Sequence, residues 1–174
     1  MKIDITSVVS SINRSTAYEA SLDFNTFSSR LGDFPLTYKS PISLQVANQE
    51  NTKLVITGSG EVKAKIPCDR CLKDVQTLIR FEIDEELFLR DGKVVDEESE
   101  EPDYLIGLDL DVDKLVYSEI LVNWPMKVLC RDDCKGICRV CGLNLNHGTC
   151  NCDRTVLDPR MAAIQDIFKN FKEV

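Results

Sequence analysis

The sequence is short of the usual ingredients of catalysis. It has one histidine, His147, and one tryptophan among 174 residues. With a single imidazole no Ser/His/Asp set can be assembled, and neither an HExxH motif nor a glycine-rich phosphate loop is present. Paired acids such as Glu97/Glu98 fall in a charge run, the composition of a solvated face. These absences argue against an enzyme and against a small-molecule substrate. Long apolar runs are missing too, since none approaches the roughly 20 residues that cross a bilayer. Met1 to Ser7 (MKIDITS) has no apolar core of the secretory kind, so the expectation is a cytoplasmic protein with no membrane partner.

Positive charge is scarce. Lys and Arg total 21 against 29 Asp and Glu, a formal net charge of −8. The deficit is local: between Val94 and Glu119 ten acids face one base, Lys114, and the rest of the chain is nearly neutral. A generic nucleic-acid binder carries a basic domain or stripe, so indiscriminate phosphate binding is disfavoured. The acidic segment 94–119 instead suits a basic protein partner. Hydrophobic residues make up 43%, which is a globular composition rather than a disordered one.

Cysteine is plentiful, at eight residues. In a reducing compartment that number points to metal or thiol chemistry rather than to disulfides. The cysteines come as close pairs: Cys68/Cys71, Cys130/Cys134, Cys138/Cys141 and Cys150/Cys152. A tight turn between paired thiolates aims both sulfurs at one spot, as a tetrahedral zinc ion requires. The pairs Cys138/Cys141 and Cys150/Cys152, spaced C-x2-C-x8-C-x-C, can close one site. Cys130 and Cys134 are then left to join Cys68 and Cys71 in a second site that staples the helical half to the sheet. Spacing alone does not fix this pairing or decide between one structural zinc ion and two. His147 is within reach as a ligand in C-x2-C-x5-H, but an Asn/Gly-flanked loop histidine is more naturally solvent-exposed. Gly136 and Gly142 suit the tight turns of metal knuckles. A four-thiolate site leaves no position for a reacting water.

The rest of the chain reads as α+β, an antiparallel sheet followed by helices and a cysteine module. Ile3 and Ile5 suit a short strand, and Tyr18, Ala20, Leu22 and Phe24 a second. Residues 32–41 read as a loop, with Pro35 and Pro41 interrupting any ladder. From Ile42 to Leu89 the period is two, with turns at Asn48 to Asn51 and Gly58 to Gly60: an antiparallel meander or partial barrel. The Cys68/Cys71 pair lies between two such runs, hence at a hairpin tip. Residues 91–107 read as a solvated acidic loop. A helix over 111–124 has Asp111 as N-cap, and a closing amphipathic helix follows Asp158-Pro159 with Ile164, Ile167, Phe168 and Phe171 on one face. The division expected is a sheet domain over 1–125 and a zinc-knuckle module with its helix over 126–174. Tyr117 and Trp124 read as core. Arg131, Lys135, Arg139 and Arg154 around the module can reach phosphates, though scattered solubility charges explain them equally well.

The blocks Pro67-Cys68-Asp69-Arg70-Cys71-Leu72 and Leu129-Cys130 through Asp133-Cys134-Lys135-Gly136-Ile137-Cys138-Arg139-Val140-Cys141-Gly142-Leu143-Asn144-Leu145-Asn146, with Asp158-Pro159-Arg160, resemble the YceD-type family. These are large-subunit ribosomal RNA accumulation proteins of bacteria, with relatives in plant plastids. The resemblance implies a non-enzymatic role in the synthesis, processing or stability of 23S ribosomal RNA and in large-subunit assembly. The partners it implies are ribosomal RNA or a pre-ribosomal particle. Other classes compatible with the residues are a zinc-ribbon nucleic-acid-binding regulator and a CxxC thiol redox protein. The redox class needs a thioredoxin-like helix after the first pair.

Overall fold

A computed structural model describes residues 1–90, 93–96, 98 and 100–153. The described fold is mostly antiparallel β-sheet with two helices and falls into two compact units. One unit takes Met1–Cys68 and Lys73–Val128; the other takes Asp69–Leu72 and the chain from Leu129.

The first unit is built on β5 (Ile42–Gln49), β6 (Lys53–Pro67) and β7 (Asp74–Arg90). Alternation sorts the faces: Ile42, Leu44 and Val46, Leu54 and Ile56, and Ile79, Phe81 and Ile83 are all buried, while the residues between them face out. Burying each such side chain is worth about 1.5–3 kcal/mol. The β5–β6 turn has Glu50 and Asn51 at φ 51° and 58°, and the Thr52 N–H donates to the Gln49 carbonyl at 3.0 Å. Two left-handed residues in succession make the primed turn whose twist matches a hairpin. Asn48, expected only as a turn residue, points inward. Its carboxamide donates to the carbonyls of Val8 and Val9 at 3.1 and 3.0 Å, tying down α1 (Thr6–Val9).

Three expectations are corrected here. Gly58 to Gly60 is no turn, because β6 runs unbroken and pairs with β7 from Lys53↔Phe88 to Pro67↔Asp74. Those glycines are places of close approach. A Cβ on Gly58 would lie 2.6 Å from the Ser43 carbonyl oxygen, and one on Gly60 would lie 2.7 Å from the Phe81 ring. Residues 32–41 are not a loop either: β4 (Gly32–Lys39) is a strand that includes Pro35. Gly32 to Pro35 pair with β3 (Thr26–Ser29), and from Leu36 the strand pairs with β6 instead. Pro35 sits at that change of neighbour, where its missing N–H is not needed. Only Ser40-Pro41 separates β4 from β5 along the chain, and the Ser40 N–H still reaches the Glu61 carbonyl at 2.9 Å. The acidic loop is the third correction. It contains β8 (Lys93–Val95) and β9 (Leu105–Ile106), with Val94, Val95 and Leu105 buried. Short apolar pairs inside a charge run were enough to build edges.

β9, β10 (Asp109–Asp111) and β1 (Lys2–Asp4) form a separate three-stranded sheet. β2 (Ser15–Ala20) pairs with β5; Leu22 and Phe24 lie beyond its end. The helix α2 (Val112–Val122) begins on Asp111, whose carboxylate accepts the Lys114 N–H, and buries Val112, Leu115, Val116 and Ile120. Tyr117 and Trp124 are core residues: their rings pack on Phe27 with centroids 4.8 and 4.9 Å away. The closing helix expected after Asp158 lies outside the described residues.

Candidate metal centres

Strands β6 and β7 meet at the tip that carries Cys68 and Cys71. The Cys68 N–H donates to the Lys73 carbonyl at 2.8 Å, and Leu72 takes φ 60° to turn the chain. The segment 129–137 is built around Arg70. Its guanidinium donates to the Cys134 carbonyl at 2.8 Å, and its own carbonyl accepts the Ile137 N–H at 3.1 Å. Gly136, at φ 79°, permits this contact, since a Cβ there would stand 2.9 Å from the Arg70 carbonyl oxygen.

The second C-x2-C turn repeats the first. The Cys138 N–H donates to the Leu143 carbonyl at 2.8 Å, the same five-residue closure as Cys68 to Lys73. Gly142, at φ 72°, occupies the position that Leu72 holds in the first. A left-handed residue with a Cβ costs about 1–2 kcal/mol, and Leu72 is 64% exposed, so little burial offsets that strain. Leu72→Gly is therefore expected to raise stability by about 1 kcal/mol. The check is a denaturant titration of the metal-loaded protein; an unchanged or lower midpoint would count against the strain.

The sulfurs of Cys68, Cys71, Cys130 and Cys134 lie within 4.8 Å of one another, as do those of Cys138, Cys141, Cys150 and Cys152. These are the two groupings expected from the pairs. Tetrahedral zinc with sulfurs at 2.3 Å puts ligands about 3.8 Å apart. The Cys71 and Cys130 sulfurs are 3.5 Å apart, too far for a disulfide and near that spacing. Both groups could hold metal ions. The first is mostly buried, whereas in the second only Cys138 is buried and Cys141 is exposed.

The thiols are not electrostatically alike. Burial pushes Cys134 up, but hydrogen bonds from Asn146, the Gly136 backbone, Cys130 and Cys71 together bring it below its ordinary value. Backbone N–H groups of Cys141 and Val140 draw Cys138 down to about 6. Hydrogen bonding to Cys141, burial and Cys150 push Cys152 up to about 12. Four thiols sharing one spot resist ionising together, and a divalent ion is the counter-charge that lets them do so.

Other sequence expectations divide. His147 is exposed and belongs to neither group. Arg131 forms an ion pair with Asp133 at 3.1 Å and donates to Asn146 at 2.9 Å. Arg154 lies outside the described residues. No thioredoxin-like helix follows Cys71, because the chain enters β7. The sequence reading missed Arg70 as the organiser of the second segment and missed Asn144 and Asn146. Asparagines closely following a C-x2-C pair were the available signal.

An antiparallel sheet and two four-cysteine groups that could hold metal ions define a candidate metal-binding protein. Residues 56–168, more than half the chain, match the family described as "Large ribosomal RNA subunit accumulation protein YceD". The chain belongs to that family, which has a role in large ribosomal subunit RNA accumulation and is not a known enzyme family. It is also similar to uncharacterized proteins of Mycobacterium bovis and of two Mycobacterium tuberculosis strains. Each is 27% identical over 94 residues, covering 53% of this chain and 45% of the relative. The chain thus spans less than half the length of the curated relatives it matches. No solved structure matches it. No helix among the described residues is long and apolar enough to cross a membrane.

Proposed function

We propose that this protein is a non-enzymatic ribosome biogenesis factor. It supports 23S ribosomal RNA synthesis, processing and accumulation and large-subunit assembly. Structural zinc is held by Cys68, Cys71, Cys130 and Cys134 and by Cys138, Cys141, Cys150 and Cys152. In this reading 1–125 is the sheet domain and 126–174 the zinc-knuckle module with its closing helix. The family match supports the ribosomal half. The metal half rests on one observation. Among the described residues of the C-terminal unit, the buried positions are Cys71, Cys134, Gly136 and Cys138, with no buried aliphatic side chain. A described segment that buries no aliphatic side chain draws its stability from elsewhere, and metal is the source its donors suit.

Electrostatics apportions the partners. Among the described residues of that unit, Arg70, Arg131, Lys135 and Arg139 are matched by Asp69, Asp132, Asp133 and Asp153. Each four-thiolate zinc site adds a formal charge of about −2. The described module therefore repels phosphates and faces a protein. The acidic segment 94–119 steers a basic ribosomal protein. RNA falls to the sheet, where exposed Tyr38 carries Lys63 over its ring at 5.4 Å and Lys65 continues the same face.

The test is a sucrose-gradient profile of a deletion strain, in which free and assembled large subunits fall relative to small ones. A normal profile contradicts the reading. In a pull-down at low salt, replacing Glu97, Glu98, Glu100 and Glu101 with Gln is expected to weaken capture of basic ribosomal proteins. That difference shrinks as salt screens it. Capture unchanged at every salt concentration rejects the acidic contact.

A further inference from the structure

Asn146 lies in the loop between Cys141 and Cys150, two members of the second cysteine group, yet its carboxamide serves the first. Its Nδ2 donates to the Cys134 sulfur at 3.3 Å and to the Asn144 Oδ1 at 2.8 Å. Its Oδ1 accepts the Lys135 N–H at 2.8 Å and an Arg131 N–H at 2.9 Å. All four hydrogen-bonding positions of the amide are used, and this fixes its orientation. Capping the turn, the ordinary work of a loop asparagine, falls here to Asn144, whose Oδ1 accepts the Asn146 N–H at 3.0 Å. The same loop is tied to the segment that follows Cys134 where the Leu145 N–H donates to the Gly136 carbonyl at 2.9 Å.

We propose that Asn146 is a positioning residue through which the two metal sites are coupled. The inference rests on the reading that both groups hold metal. The ends of the 142–149 loop are Cys141 and Cys150. An ion on the second group fixes both ends, and the loop then delivers an N–H to the Cys134 sulfur and holds the 131–135 turn in place. A thiolate that accepts such a hydrogen bond is stabilised as an anion, so the first site binds its ion more tightly when the second is filled. By linkage the reverse holds with the same factor. A hydrogen bond to a charged acceptor is strong enough to make that factor on the order of tenfold.

The test titrates the metal-free full chain with cobalt(II), anaerobically and with thiols reduced. It follows the thiolate-to-cobalt charge-transfer and d–d bands, with bound metal counted by mass spectrometry. The wild type takes up two ions cooperatively. Asn146→Ala, and Asn146→Asp, which keeps the acceptor half but loses the N–H, weaken the first site about tenfold. They also move its charge-transfer band to lower energy, a change that a purely structural role would not make. Cys138→Ser/Cys141→Ser weakens the first site by a similar factor, and adding Asn146→Ala to that background costs little more, because the coupling is already gone. Two ions bound with wild-type affinity and an unmoved band in both Asn146 variants overturns the coupling alone. A wild type that takes up no cobalt overturns the metal reading and the coupling with it.

Discussion

Stripping metal with a strong chelator under reducing conditions is expected to unfold the C-terminal unit while β5, β6 and β7 stay folded. Structural zinc sites contribute about 10–16 kcal/mol of apparent binding free energy at neutral pH, comparable to or above the whole stability of an ordinary domain. Over the described residues of that unit, the buried positions are cysteine and one glycine. Hydrogen exchange reads the effect by region. The N–H groups of Ile137, Cys138 and Leu145, all bonded to carbonyls in the structure, lose their protection. The β6–β7 ladder, paired from Lys53↔Phe88 to Pro67↔Asp74, keeps most of its own. Acid acts in the same direction, because thiolates must be deprotonated to bind and lowering the pH releases the ion. Protection of 129–153 that survives the chelator contradicts the account.

Phe27→Ala is expected to cost about 3–5 kcal/mol in the first unit. Phe27 is fully buried, and its ring touches both Tyr117 and Trp124. Truncation removes the transfer free energy and leaves a cavity under two aromatic rings that are themselves only partly buried. Trp124 reports the change directly, with emission moving to longer wavelength as water reaches the indole. The denaturant midpoint falls with little change in slope, since the unfolded surface is nearly the same. A loss below about 1 kcal/mol would show that the pocket collapses or that the stack carries little.

The parts of this fold that were legible in the sequence are those where a single local rule decides. Period-two runs placed β5, β6 and β7. Asp111 announced the start of α2. Paired cysteines marked all eight members of the two four-cysteine groups, while their grouping became definite only in the fold. Apart from the acidic loop, where Val94, Val95 and Leu105 are buried inside a charge run, the failures share a cause: a residue type that usually marks a turn serves a tertiary purpose. Gly58 and Gly60 make room for Ser43 and Phe81, and Pro35 sits where a strand changes neighbours. Asn48 holds the end of α1. None of these can be read without knowing which strand lies alongside. The site shows the same limit: eight ligand candidates were visible by spacing, but Arg70, Gly136 and Asn146 act across the unit, through contacts that no spacing encodes.

The central claim is that cysteine fours hold the C-terminal unit together through bound ions and leave nothing reactive. Inductively coupled plasma mass spectrometry on protein purified from a reducing lysate, with no metal added, tests it most directly. Two zinc ions per chain are predicted. A well-folded chain carrying no transition metal would contradict the claim.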